Sequence, residues 1–302
     1  MSVPQISPRD RLLAHLAMLV FAAAIGGAFT AGGLALPHID PTPLNAMRFV
    51  WASLVMGVAS FAGARDPLRL PPAPWRLLVL GGLTAVYFLS MFIALTMTEP
   101  VATSAIFTLI PLMTAGLGFW LLGQKVGGRV LASLLLAAAG AIWVVFRGDP
   151  AAIGRLDLGQ GEAIYFGGCV CYALYAPLVR RFHRGDPALA FSFWTLLAAT
   201  AWMVAYGWSE ILATDWRHLP PIVWAVLAYL AIFPTALSFF CLQYASLRLP
   251  SSKVMAYGYL TPVFVILYEG LAGHGWASPS VLAGVAVIGL GLVILAFAPD
   301  PA

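Results

Sequence analysis

The chain has 302 residues, of which 61% are hydrophobic and only 9% are charged, and its mean hydropathy is +0.91. Soluble globular domains carry about 25% charged residues, so this composition excludes an ordinary soluble domain and predicts a protein that lies in a lipid bilayer. The formal net charge is +4, but the basic residues are spread over short segments instead of one face, which argues against a nucleic-acid partner.

Ten apolar stretches follow one another along the chain, and each is about long enough to cross a hydrocarbon core of roughly 30 Å as a helix. They cover residues 12–36, 44–62, 76–97, 100–122, 129–147, 158–180, 188–208, 220–246, 251–272 and 279–298. The runs are long and lack short alternation, which favours helices over a barrel. The first run is too long for the apolar core of a signal peptide, and we interpret it as a retained helix. The predicted fold class is an all-α integral membrane protein with ten transmembrane helices.

The 16 Lys and Arg residues are distributed unevenly between the breaks that separate these stretches. If the N-terminus is placed in the cytoplasm, twelve of them fall inside and four outside. The inside set is Arg9, Arg11, Arg65, Arg69, Arg76, Lys125, Arg129, Arg180, Arg181, Arg184, Arg248 and Lys253, and the outside set is Arg48, Arg147, Arg155 and Arg217. Short cytoplasmic loops carry an excess of basic residues. The split therefore predicts a multi-pass protein of a bacterial-type cytoplasmic (inner) membrane with both termini in the cytoplasm.

The two halves of the chain resemble each other at an offset of 151 residues, since twelve of 63 aligned positions are identical between 84–146 and 235–297. Each half holds five stretches, an odd number, so the second half would enter the membrane from the opposite side. This pattern predicts two domains, 1–150 and 151–302, as inverted five-helix repeats. Many secondary transporters are built in this way.

Two short motifs and a pair of prolines carry a family resemblance. They are Leu44-Asn45-Ala46-Met47-Arg48-Phe49 at the start of the second stretch, Tyr259-Leu260-Thr261-Pro262-Val263-Phe264 in the ninth, and Pro111 with Pro262 at equivalent positions of the two halves. In these features the chain resembles the drug/metabolite transporter superfamily in its EamA-type form, and within it the YddG-type exporters of aromatic amino acids. The resemblance covers nearly the whole chain. Family members often carry a Glu after the fourth and ninth helices, where this chain has Gln124 and the neighbourhood of His274, so no role of those acids is carried over.

The resemblance implies a basket-like bundle in which the first, third, fourth, sixth, eighth and ninth helices enclose a central cavity. The fifth and tenth stretches contain almost no polar side chain and would lie at the periphery.

Polar and aromatic side chains in the third, fourth, eighth and ninth stretches are candidates for lining that cavity. They are Tyr87, Ser90, Phe107, Ser238, Gln243, Tyr244, Tyr257 and Tyr259. Hydroxyl and amide groups would bind the polar end of a small molecule, and aromatic faces would contact its apolar part. A structural interpretation stays open for each, because Ser bonds back to helix carbonyls and Tyr is common at membrane interfaces.

Three charged residues, Arg48, Glu162 and Glu269, lie inside the predicted helices, each toward the outer face. The sequence thus places no charge at the middle of the membrane, where burial of a charge is costly. Arg48 could snorkel or be paired structurally, or it could contact a substrate. Each of the two acids could be a proton-coupling carboxylate or an ionised interfacial acid.

Four prolines, Pro111, Pro177, Pro234 and Pro262, interrupt the fourth, sixth, eighth and ninth stretches. Each removes a helix hydrogen bond and favours a kink. Such kinks serve either packing or gating.

No motif for a metalloprotease, a serine hydrolase or a phosphate-binding loop is present, which argues against an enzyme and against an ATP-driven pump. The three cysteines lie in apolar stretches and favour neither a disulfide nor a metal site. We therefore predict a secondary transporter without cofactor or metal, which exports small amphipathic metabolites, preferably aromatic or other apolar amino acids, by alternating access. A broad drug or metabolite efflux carrier is the alternative. Energy coupling and oligomeric state stay open.

Overall fold

The computed structural model describes residues 8–63, 70–123, 127–155, 158–182, 184, 188–246, 254 and 257–296. Every regular element within those ranges is a helix, in agreement with the predicted all-α class.

The helices up to residue 155 are α1 (Pro8–Ala35), α2 (Pro41–Gly63), α3 (Trp75–Ala94), α4 (Pro100–Phe107), α5 (Ile110–Leu122), α6 (Gly128–Val145) and the short α7 (Pro150–Arg155). Those that follow are α8 (Gln160–Phe182), α9 (Ala188–Tyr206), the short α10 (Trp208–Ala213), α11 (Pro221–Ala231), a π-helical segment (Ile232–Leu237), α12 (Ser238–Ser246), a 3₁₀ turn (Tyr257–Leu260), α13 (Thr261–Leu271) and α14 (Pro279–Ala296). Six of these helices begin with proline, where the missing N–H would have no partner within the helix anyway.

Six helices in the described part of the chain are long and apolar enough to cross a membrane. They cover Leu12–Ala35, Trp75–Ala94, Pro100–Leu121, Gly128–Val145, Gln160–Val179 and Pro221–Leu242, and shorter apolar helices cover Ala190–Tyr206 and Pro279–Leu295. The multi-pass membrane character is thereby supported, whereas ten crossings in two inverted repeats stay a prediction.

Helix α3 lies at the centre of the main hydrophobic cluster and packs against α8 and α9, while α1 packs against α11, α12 and α13. Glycines permit these close approaches. A Cβ at Gly81 of α3 would meet the backbone nitrogen of Ala199 at 2.6 Å, and one at Gly26 of α1 would meet the Phe264 Cβ at 2.7 Å. Small residues of this kind let helix backbones approach within a membrane.

Helices α6 and α14, which occupy the fifth and tenth predicted stretches, pack chiefly against each other. Gly140 of α6 faces Gly284 of α14 so closely that a Cβ at Gly140 would lie 2.7 Å from the Gly284 carbonyl oxygen. On their other sides the two helices expose large apolar residues, among them Leu135, Leu290 and Val293. This arrangement fits a helix pair whose outer surface contacts lipid.

Arg76, at the start of α3, is buried and joins α3 to the end of α8. Its Nε donates to the carbonyl oxygens of Pro72 (3.1 Å) and Ala73 (3.2 Å), Nη2 also donates to Pro72 O, and Nη1 donates to Phe182 O. Every nitrogen of this guanidinium therefore has a carbonyl partner. The residue that the sequence counts as a loop charge is a structural clamp between two helix ends.

Replacing Arg76 with Gln should lower the free energy of unfolding by about 2–3 kcal/mol, because several hydrogen bonds from a buried, charged donor are lost. Arg76→Lys keeps the charge but not the fork of donors, so its loss should be intermediate. Thermal unfolding of the purified variants in detergent checks this order, and equal stability of all three proteins would contradict it.

Candidate substrate-binding site

Arg48 of α2 is completely buried (0% exposed). Its Nε donates a 2.9 Å hydrogen bond to Thr235 Oγ1, and Thr235 lies in the middle part of the segment that runs from α11 to α12. Arg48 therefore does not snorkel to a surface. This long side chain reaches inward between the helices from its position early in α2, and the absence of a charge at the middle of the membrane stays a prediction.

The π-helical segment explains why Thr235 can receive Arg48. Pro234 has no N–H and cannot form the α-helical hydrogen bond at its position. The segment Ile232–Leu237 is π-helical, so its hydrogen bonds join residues five apart instead of four. The Thr235 hydroxyl donates to the carbonyl oxygen of Leu230, five residues earlier (2.8 Å). The lone pairs of this hydroxyl stay available, and one of them accepts the hydrogen bond from Arg48 Nε. Single π-helical turns of this kind are frequent at functional sites.

Three phenylalanines surround the guanidinium. Its central carbon lies 4.6 Å from the ring centroid of Phe88, 5.5 Å from Phe92 and 5.7 Å from Phe49. A desolvated cation–π contact contributes about 2 kcal/mol or somewhat more, whereas taking a charge out of water costs several kcal/mol. We call Arg48, Thr235, Phe49, Phe88 and Phe92 the arginine site.

The two terminal nitrogens of Arg48 have no hydrogen-bond partner in the part of the chain that the structure describes. Among the described residues, neither Nη1 nor Nη2 makes a hydrogen bond, although both are buried. Buried polar groups are nearly always hydrogen-bonded, so an unpaired cationic fork is an exception that calls for an anion. The arginine site is thus a place where an anionic group would be bound favourably.

An aromatic cluster adjoins the arginine site through Phe88, whose ring centroid lies 4.8 Å from that of Tyr87. Tyr87 stacks on Tyr172 at 4.3 Å, and its hydroxyl is 3.1 Å from the hydroxyl of Tyr165. Phe29 of α1 packs edge-on against Tyr165 (6.2 Å) and Phe107 (6.4 Å). We call Tyr87, Tyr165, Tyr172, Phe29 and Phe107 the aromatic cluster. Such rings offer large apolar faces with a few hydroxyl groups.

Sequence reasoning selected Tyr87 and Phe107 but missed Tyr165, Tyr172 and Phe88. A signal was present, because Tyr165 and Tyr172 are seven residues apart and therefore lie on the same face of α8. That face carries two phenol groups in the interior of an apolar protein.

The other predicted cavity residues lie in several places. Ser90 is buried on α3, but its hydroxyl donates back to Tyr87 O (2.9 Å). Ser238 likewise donates back to Pro234 O (2.8 Å). These contacts match the structural alternative for both serines. The side chain of Gln243 lies outside the described residues.

Three predicted tyrosines lie apart from the aromatic cluster. The Tyr257 hydroxyl forms a 2.7 Å hydrogen bond with Nδ1 of His15 in α1. Tyr244 and Tyr257 both pack against a small hydrophobic cluster that contains Ala14, Met18, Ala245 and Val254. Tyr259 is buried beside α6 and α14, and its hydroxyl has no hydrogen-bond partner among the described residues. That all eight residues line a single cavity stays a prediction.

The two acids differ in environment. Glu162 is half-buried in the first turn of α8 and accepts a 2.6 Å hydrogen bond from Thr98, where the helix dipole stabilises a carboxylate. Glu269 is buried at 9% exposure, with Oε2 at 2.8 Å from His274 Nδ1 and Oε1 without a partner among the described residues. Glu269 is thus the more buried of the two acids.

The four prolines occupy different kinds of position. Pro111 follows a two-residue break between α4 and α5, and Pro262 follows the 3₁₀ turn before α13. Pro234 lies in the π-helical segment, whereas Pro177 lies inside the continuous helix α8. The repeat-related prolines thus mark similar helix breaks, and a gating role stays a prediction.

The paired hydroxyls of Tyr87 and Tyr165 predict a non-additive pair of substitutions. Tyr165→Phe leaves the buried Tyr87 hydroxyl without this partner and should cost about 1–3 kcal/mol. Tyr87→Phe should cost less, because the Tyr165 hydroxyl is also hydrogen-bonded to Cys169, and the double variant should cost less than the sum of the two. Thermal unfolding of the four proteins measures the coupling, and Tyr206→Phe, at an exposed ring, serves as control. Additive losses would contradict the hydrogen bond.

No group of three His, Cys, Asp or Glu side chains that could hold a metal ion occurs in the described part of the chain. The fold and this interior together define a multi-pass helical membrane protein with a charged, aromatic-lined site between its helices.

Comparison with known proteins identifies the family. The sequence profile of the EamA-like transporter family matches the chain twice, over residues 12–146 and 160–297. The uncharacterized transporter YyaM of Bacillus subtilis is 25% identical over 276 residues, which is 91% of this chain and 90% of that protein. An uncharacterized transporter of Archaeoglobus fulgidus is 24% identical over 87% of this chain and 89% of its own length. The chain belongs to the EamA-like transporter family.

A solved crystal structure agrees in fold, with a TM-score of 0.68 over 95% of this chain and 97% of that chain, at 22% identity. The family assignment confirms the predicted transporter class, and it points away from an enzyme. Membership of the YddG-type branch stays a prediction.

Proposed function

We propose that the protein is a secondary transporter that exports small amphipathic metabolites, with aromatic and other apolar amino acids preferred, by alternating access. The observation that carries this proposal is the arginine site next to the aromatic cluster. A small molecule with a polar end and an aromatic or apolar side chain matches both parts, since ligand sites combine apolar walls with a few convergent polar groups.

The key contacts join the two halves of the chain, which supports a rocking mechanism. Arg48 bonds to Thr235, and Tyr87 bonds to Tyr165, with one partner from each of the two profile-matched ranges. A movement of one half against the other would separate these pairs and open the site to one side of the membrane. Organisation as repeats 1–150 and 151–302 is part of the same proposal.

The orientation with both termini in the cytoplasm of an inner membrane is part of the same proposal, and contacts between helix ends support its division of the segments between two sides. On the proposed inner side, Arg76 bonds to Phe182 and Arg181 approaches the carbonyl oxygen of Leu121 (3.5 Å). On the proposed outer side, Arg147 forms a 3.3 Å ion pair with Glu99. Each contact joins ends that the charge distribution assigns to one side.

Purified protein in proteoliposomes tests the function directly. We expect saturable flux of radiolabelled phenylalanine or tryptophan above that of empty liposomes, with inhibition by unlabelled aromatic amino acids and not by lipophilic cations. Inhibition by lipophilic cations instead would favour broad drug or metabolite efflux. Absence of flux for every solute would overturn the proposal.

The energy source is addressed by the same assay. Flux is measured with and without a pH gradient in the wild type, Glu162→Gln and Glu269→Gln. If Glu269 couples transport to protons, its variant loses the response to the gradient while Glu162→Gln keeps it. An unchanged response in both variants would exclude these two carboxylates as the coupling sites.

A further inference from the structure

We infer that Arg48 is the residue that binds the anionic group of the transported molecule, and that this group is a carboxylate. The inference rests on the proposed transport function and deepens it, since it limits the substrates to monoanionic or zwitterionic molecules that carry a carboxylate close to an aromatic or apolar group.

The arrangement of the N–H donors of Arg48 favours a carboxylate as its partner. Nε is occupied by Thr235 at 2.9 Å, and the two terminal nitrogens are buried without a hydrogen-bond partner among the described residues. These nitrogens form the end of a planar fork that matches the two oxygens of a carboxylate in a bidentate pair. The bond to Thr235 holds the plane of the fork in a fixed orientation, so little rotational freedom would be lost on binding.

Arg76 provides an internal comparison, because it is the other fully buried arginine of the described chain. All three of its nitrogens donate to carbonyl oxygens of the protein. A guanidinium used only to join helices is thus fully paired in this fold. Arg48 differs in that its terminal donors are left for a partner that the described part of the chain does not supply.

The small number of buried charged residues limits the type of anion that Arg48 can bind. The buried charged residues of the described chain are Arg48, Arg76 and Glu269, and Arg76 is committed to its clamp with Phe182. One positive charge balances a carboxylate but not a phosphate dianion, which would need further cations. Since Phe88 links the arginine site to the aromatic cluster (4.8 Å to Tyr87), an aromatic side chain bound next to the carboxylate would lie against rings.

A series of substrate analogues tests the inference on the wild-type protein alone. Unlabelled L-phenylalanine, 3-phenylpropionate and phenethylamine compete with tritiated L-phenylalanine for flux into proteoliposomes. We expect both carboxylates to inhibit and phenethylamine, which lacks the carboxylate, to be weaker by about tenfold or more, because a site built to bond a polar group rejects analogues without it. Equal inhibition by phenethylamine would overturn the inference while the proposed function stands.

Variants then assign the effect to Arg48. Arg48→Gln should reduce phenylalanine flux by about tenfold or more and abolish the preference for carboxylates. Arg147→Gln, which removes the same charge from an exposed ion pair, should keep wild-type flux and preference. If Arg48→Gln retains the carboxylate preference, the inference is wrong. If this variant does not fold, the analogue series on the wild type decides, and absence of any wild-type flux overturns the inference together with the proposed function.

Discussion

Replacement of Gly140 by leucine is expected to abolish the recovery of folded protein from membranes. A Cβ at Gly140 would lie 2.7 Å from the carbonyl oxygen of Gly284 and 3.0 Å from the backbone nitrogen of Ile288. Both obstacles are backbone atoms of α14, so no rotamer change can relieve the clash and the whole helix must move away. Overpacking of a core costs about 1–3 kcal/mol and occasionally more, and here the loss should reach or exceed the upper end.

A matched control lies on the same helix pair. Gly289 of α14 has no atom within 4 Å of the place where its Cβ would be, so Gly289→Leu should leave the yield and the elution profile of the protein unchanged. Gly284→Leu, which would meet Val144 and Trp143 within 3.0 Å, should behave like Gly140→Leu. Size-exclusion chromatography of the detergent-solubilised variants separates these outcomes. A monodisperse Gly140→Leu protein with wild-type stability would disprove the close contact of α6 and α14.

The positions of the helices could be predicted from the sequence because the bilayer imposes a simple rule: a helix that crosses it needs about 20 apolar residues. Helix occupies most of the described residues of each of the ten apolar stretches. The rule does not predict the interruptions of those helices. Pro111, Pro234 and Pro262 indicated them, but Pro177 lies in an unbroken helix, so proline alone does not distinguish a break from a tolerated bend.

The inverted-repeat organisation stays a prediction, but one aligned pair of residues can be compared in the fold. Thr84 and Thr235, identical at the offset of 151 residues, are both buried and both bond back to a carbonyl of their own helix, at Leu80 and Leu230 respectively. Only Thr235 lies in a π-helical turn and accepts a hydrogen bond from Arg48. The two aligned positions thus have similar hydrogen bonds, but the alignment does not indicate the Arg48 partner that only Thr235 has.

The burial of Arg48 between the helices was not predictable from its position in α2. A side chain seven residues after the first residue of a helix can reach a surface by snorkelling or can point inward, and the sequence does not state which face of α2 meets α3 and α11. In the folded protein the Arg48 side chain points inward, where it contacts three phenylalanine rings and Thr235. The candidate site therefore depends on tertiary contacts between residues that are up to 187 positions apart.

Replacement of Arg48 by methionine is expected to raise the thermal stability of the ligand-free protein while abolishing transport of carboxylates. Burying an uncompensated charge costs several kcal/mol, so its replacement by an apolar side chain of similar length should stabilise the fold. Methionine would also make favourable sulfur contacts with Phe49, Phe88 and Phe92. Thermal unfolding followed by tryptophan fluorescence measures the stability, and proteoliposome flux measures transport.

Ligand-linked stability separates a binding arginine from a merely structural one. Phenylalanine at about 100 times its dissociation constant should stabilise the wild type by about 2.7 kcal/mol and should leave Arg48→Met unchanged. Arg48→Lys keeps the charge without the planar fork, so it should gain no stability and should respond weakly to phenylalanine. If Arg48→Met instead loses stability as Arg76→Gln does, then Arg48 holds the helices together and its unpaired nitrogens do not await an anion.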